Sequence, residues 1–77
     1  MRMKAGEKWR CKSNYNYKLF RRSFLFLSVE VSLTTYVSRP VYTINGLDLS
    51  NGEITHFTIK GNAPNKPGEI TCWEKIE

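Results

Sequence analysis

Between Leu25 and Val37 the chain alternates without a break for thirteen residues. Leu25, Leu27, Val29, Val31, Leu33, Thr35 and Val37 occupy one parity, and Phe26, Ser28, Glu30, Ser32, Thr34 and Tyr36 the other. A period of two with many β-branched types and neither Gly nor Pro predicts a β-strand. A helix over the same residues would carry too many Val, Thr and Ser side chains. Drawn out straight, that strand would reach roughly 40 Å at about 3.3 Å per residue. A 77-residue chain is too small to hold it flat, so it must bend or bulge and serve both walls of a barrel.

A chain this short buries only about 60% of the surface that its unfolded form exposes, so the core is thin. Ala, the best helix former, occurs twice, and the residues that carry the apolar pattern are Val, Ile, Tyr, Phe and Thr. The expected class is all-β. No internal repeat or linker divides residues 1–77, which form one domain, with residues 1–7 expected to fray.

The other strands follow from alternation and turn chemistry. Lys8-Trp9-Arg10-Cys11-Lys12 puts Trp9 and Cys11 on an inner face and three cations outside. Tyr15 to Phe20 alternates too, as either a short strand or the arm of a loop. Pro40 ends the long strand, and Val41 to Ile44 starts another. Asn45-Gly46 signals a turn or bulge. Ser50-Asn51-Gly52 signals a hairpin tip between Leu47-Asp48-Leu49 and Glu53–Ile59, with Asn51 and Gly52 both expected at positive φ. The phase slip between Ile54 and Phe57 suggests a bulge or a strong twist near Thr55-His56. Gly61–Gly68, with two prolines, is a loop. Glu69–Ile76 closes the chain as a strand with Ile70, Cys72 and Ile76 on one face and Trp73 on the other. Five or six short strands with tight turns describe a small barrel.

The run Ala5-Gly6-Glu7-Lys8-Trp9-Arg10-Cys11, then Val41-Tyr42-Thr43-Ile44, then Gly52-Glu53-Ile54, then a last strand holding Trp73, resembles small SH3-like barrel proteins of bacteriophages and prophages. The resemblance implies a non-enzymatic, phage-type accessory protein of the bacterial host cytoplasm. The long stretch between the first strand and Val41 leaves an OB-like strand order as the alternative. No shared functional motif carries binding residues across.

Charge is polarised along the chain. Residues 1–22 hold eight Lys and Arg against Glu7 alone, and the remainder holds four against six carboxylates. Six of the ten aromatic residues lie between Lys8 and Phe26. Cations for phosphates interleaved with rings for bases are what single-strand binding uses. Lys8, Arg10, Lys12, Tyr15, Tyr17, Lys18, Arg21 and Arg22 are therefore the candidate binding residues. The expected partner is single-stranded nucleic acid, and the alternative is a protein-interaction module or inhibitor that binds an acidic host protein.

Enzyme chemistry has little to stand on. His56 is the single histidine, with Glu53 and Asp48 near it in sequence, and a polar solvent face accounts for all three. Cys11 would act as a nucleophile only if His56 approached it. The glycines are scattered turn residues rather than a phosphate-cradling motif. Neither cysteine has a second ligand at metal spacing, so no cofactor or metal is expected. Cys11 and Cys72 are either free thiols or, if the first and last strands adjoin, a disulfide worth about 4 kcal/mol at most in chain entropy. The apolar run at Phe24–Val31 is broken by Ser28 and Glu30 and is shorter than the ~20 residues a spanning helix needs. A secreted, membrane-active peptide lacks the amphipathic helix it would use. A monomeric cytoplasmic protein is the expectation.

Overall fold

In the computed structural model, which describes residues 2–33 and 39–77, five antiparallel strands form one sheet. They are β1 (Lys8–Cys11), β2 (Ser23–Leu33), β3 (Pro40–Asp48), β4 (Ile54–Lys60) and β5 (Trp73–Lys75), with a 3-10 turn over Glu69–Cys72. Their order is β4-β3-β2-β1-β5. Four strands meander and the fifth returns beside the first, as in a small β-barrel. The sheet curls until its ends face each other: Phe57 of β4 and Trp73 of β5 stack with ring centroids 5.5 Å apart and planes 7° from parallel. Phe24 and Phe26 pack against both rings. These residues, with Trp9, Cys11, Tyr42, Ile44, Ile59 and Ile70, make one apolar core.

The bend expected in the long strand is present as a bulge. Phe26 pairs with Gly46 and Ser28 with Asn45, which leaves Leu27 as the extra residue. The inner parity therefore changes along the strand. Phe24 and Phe26 face inward before the bulge, and Val29 packs on the core after it. Leu27 is 46% exposed. Two phenyl rings fill a small barrel better than two leucines, and the alternation is equally regular for either choice. Val31, paired with the buried Tyr42, and Leu33, paired with Pro40, are exposed. Residues 34–38, the last part of the expected strand, lie outside the described residues.

Asn45-Gly46 is not a turn. Both sit inside β3, and the irregularity they signalled lies on the strand opposite. The hairpin between Leu47 and Glu53 forms as expected, with Gly52 at φ +74°. Asn51 is not at positive φ; among the described residues only Gly6, Gly52 and Arg21 are. The β3–β4 register is unbroken from Val41↔Lys60 to Leu47↔Ile54, so Thr55-His56 holds no bulge. The phase slip is resolved by leaving Ile54 outside, 66% exposed.

Two further expectations change. Residues 3–7 do not fray: Met3 is buried, Gly6 N donates to Phe26 O at 2.8 Å, and Phe26 N donates to Glu7 O at 2.9 Å. Glu69–Ile76 is not a continuous strand. Ile70 and Trp73 lie three residues apart, which a 3-10 turn places on one face, and both are buried. Trp73 therefore points inward and Ile76 is exposed.

Candidate functional site

β1 alternates as its sequence dictates, with Trp9 and Cys11 buried and Arg10 exposed on the outer face. Strand β5 lies alongside and brings carboxylates to that face. Arg10 Nε and Nη2 donate to Glu74 Oε1 at 2.8 and 2.6 Å. Lys8 Nζ lies 3.2 Å from Glu77 Oε2, and on the parity of Trp9, its partner in the ladder, Lys75 Nζ lies 3.1 Å from Glu7 Oε2. Burial pushes the Glu7 carboxyl up, but the Trp9 indole N–H, the Lys4 amide and Lys75 outweigh it and hold the carboxyl below its ordinary range. The outer face of β1 and β5 is thus a set of matched charges rather than a cationic strip.

The segment from Lys12 to Arg22 is neither a strand nor an extension of that face. It is a loop of successive turns, held by Asn16 O, which accepts from Leu19 N and Phe20 N, both at 3.0 Å. Leu19 plugs the core and is 4% exposed. Tyr15 is half-buried, and its hydroxyl accepts the Trp73 indole N–H at 2.8 Å. Burial pushes the Tyr15 phenol up to about 12, against the smaller opposing effect of that bond. Arg22 leaves the loop to bind the buried Asp48.

Four of the eight candidates then remain together on the loop: Lys12, Tyr17, Lys18 and Arg21. Tyr17 is 81% exposed. Lys12, Lys18 and Arg21 make no ion pair among the described residues. The Arg21 guanidinium lies 5.0 Å from the centroid of the Phe20 ring, which adds Phe20 to the site. The aromatic count in the sequence held that signal, but nothing in it told Phe20 from core phenylalanines. Arg21 also has φ +66°, a left-handed backbone that costs an L-residue roughly 1–2 kcal/mol. It is kept there by Arg21 N donating to Cys11 O at 2.8 Å and Arg22 N to Leu19 O at 3.0 Å. Beside the loop, a depression of about 170 Å³ is lined by Lys18, Arg22, Asp48, Glu53 and Thr55 among others.

The residues weighed for catalysis are dispersed. His56 is exposed on β4 and hydrogen-bonds through Nδ1 to Asn45 Oδ1 at 2.8 Å. Asn45 Nδ2 in turn donates to Ser28 Oγ at 2.9 Å. Asp48 and Cys11 are buried on the inner face, and Cys11 Sγ donates to Ser13 O. Cys11 and Cys72 are free thiols on neighbouring segments, with Lys12 N donating to Cys72 O at 2.8 Å. Among the described residues no group of three or more His, Cys, Asp or Glu side chains could hold a metal ion. No helix among them is long and apolar enough to cross a membrane. No protein-family model, curated protein or solved structure matches the chain.

Proposed function

We propose that this chain is a non-enzymatic binding module whose Lys12–Arg22 loop takes single-stranded nucleic acid. The observation that carries the reading is Tyr17, 81% exposed, on the same loop as Lys12, Lys18 and Arg21, which make no ion pair among the described residues. A tyrosine ring open to solvent offers a face on which a base stacks, and Lys12, Lys18 and Arg21 supply charge for the flanking phosphates. Lys8 and Arg10, matched by Glu77 and Glu74, contribute little to such an interface.

The test is binding of fluorescent single-stranded DNA and RNA as salt is raised. Three phosphate contacts give a log–log slope near −2, at about −0.7 per contact. Lys12→Gln, Lys18→Gln and Arg21→Gln each reduce that slope, and Tyr17→Ala weakens binding by ~1 to 3 kcal/mol. Arg10→Gln leaves the slope unchanged. If neither oligonucleotide binds at low salt, the reading is overturned and the loop passes to an acidic protein partner.

A further inference from the structure

The depression beside the Lys12–Arg22 loop has an uneven lining. Leu19 and Phe24, both buried, give it an apolar floor. Over that floor Arg22 is fixed through Nη1, which donates to Asp48 Oδ2 at 2.8 Å and reaches Ser50 Oγ at 3.4 Å. Asp48 is taken up by that bond and by those from Ser50. Arg22 Nε and Nη2 make no hydrogen bond among the described residues and remain free donors. Glu53, just beyond the hairpin tip, lines the same depression. Its backbone N–H donates to Asn51 Oδ1 at 2.9 Å. Its carboxylate has neither a hydrogen bond nor an ion pair among the described residues, although Lys18 and Arg22 line the same space. A fixed donor and an unpaired carboxylate thus border one gap above an apolar floor. At about 170 Å³ that gap is smaller than the ~300–1,000 Å³ pockets of drug-sized ligands. It suits a single flat ring system.

We propose that this depression takes a guanine base of the bound strand, with Arg22 donating to O6 and the Glu53 carboxylate accepting from N1–H and N2–H. The inference rests on the nucleic-acid reading of the loop and deepens it to a base preference. A carboxylate repels phosphate, so a site for the backbone alone would bind better without Glu53. A base that offers it two donors reverses that sign, through a bidentate, charge-assisted pair. Guanine alone presents two adjacent donors on its base-pairing edge, with an acceptor beside them for a guanidinium. Adenine, cytosine, thymine and uracil each set one donor there beside an acceptor, which repels the second carboxylate oxygen. Lys18 stays on the phosphate, and Tyr17, the residue before it, stacks a neighbouring base.

Fluorescence anisotropy at low salt tests it with short strands of thymine, or of uracil as RNA. Each strand is compared with versions carrying one central guanine, adenine, cytosine or hypoxanthine, the last being guanine without its 2-amino group. The guanine strand should bind about tenfold tighter than the strands with other natural bases. Hypoxanthine, with one donor fewer, should fall back most of the way to thymine. Glu53→Ala should erase the guanine preference and at the same time tighten the plain thymine strand, because a charge that repels phosphate has gone. Equal binding of all strands overturns the inference and leaves the reading of the loop standing. So does a preference that hypoxanthine keeps in full, or one that survives in folded Glu53→Ala. Failure of every strand to bind overturns both. The hypoxanthine comparison uses the unaltered chain, so it decides the matter even if Glu53→Ala fails to fold.

Discussion

Arg22 Nη1 donates to Asp48 Oδ2 at 2.8 Å, tying the end of the Lys12–Arg22 loop to the last residue of β3. Asp48 is 3% exposed, and its second oxygen accepts from Ser50 N at 2.9 Å and Ser50 Oγ at 2.6 Å. The pair locks the loop that carries Tyr17 onto the hairpin that begins β4.

Stability should depend on pH through this carboxylate. Burial pushes the Asp48 carboxyl up, but the Ser50 bonds and Arg22 together outweigh it and hold it below the ordinary range. A depressed carboxyl contributes stability that is complete above about pH 4 and is lost as pH falls through the folded value. Urea midpoints at pH 7 and pH 3 should show that loss, and Asp48→Asn should remove most of it. Arg22→Gln should cost about 2 kcal/mol, less than a fully buried pair because Arg22 is half exposed. Arg10→Gln, which breaks an exposed pair, should cost at most ~1 kcal/mol.

Gly46 is a packing glycine. A Cβ there would stand 3.1 Å from Phe24 Cδ2 and 3.2 Å from Phe57 Cε1, both rings of the core cluster. Gly46→Ala should therefore destabilise by about 1–3 kcal/mol through overpacking. Gly52 meets nothing within 4 Å but sits at φ +74°. Gly52→Val should cost more than ~1 kcal/mol for the backbone alone. Denaturant midpoints check both, and tolerance at Gly46 would mean that Phe24 and Phe57 are free to shift.

Arg21 sets stability against binding. Arg21→Gly relieves the left-handed backbone at the cost of a more flexible unfolded chain, so stability should stay within about 1 kcal/mol of the parent or rise. Arg21→Val should lose more than ~1 kcal/mol, because a β-branched residue fits that conformation worst. Oligonucleotide binding should weaken in both variants. Thermal melts beside the binding assay separate the two effects.

The thiols should react unequally. Cys11 is fully buried, and burial, reinforced by Cys72, raises its thiol above the ordinary range despite an opposing backbone hydrogen bond of Ser13. Cys72 is partly exposed. One equivalent of a thiol reagent should add quickly at pH 8, at Cys72, and the second only on unfolding. Peptide mapping by mass spectrometry locates the label, and no reaction at either site before reduction would reveal a disulfide.

The features legible in the sequence are those set by neighbouring residues. Alternation over Lys8–Lys12 determined which side chains of β1 are buried. Gly52 and its flanking apolar pairs determined the hairpin, and the length of the central alternation demanded the bulge that β2 contains. Tertiary structure decided the rest, because the deciding contacts join residues far apart in the chain. The parity of β2 depended on which rings could fill the space beside Phe57 and Trp73, a competition that Phe24 and Phe26 won over Leu25 and Leu27. The charge of the β1 face depended on Arg10 meeting Glu74, 64 residues away. An N-terminal third that is strongly basic in sequence thus shows a neutralised strand and a loop where Lys12, Lys18 and Arg21 make no ion pair among the described residues.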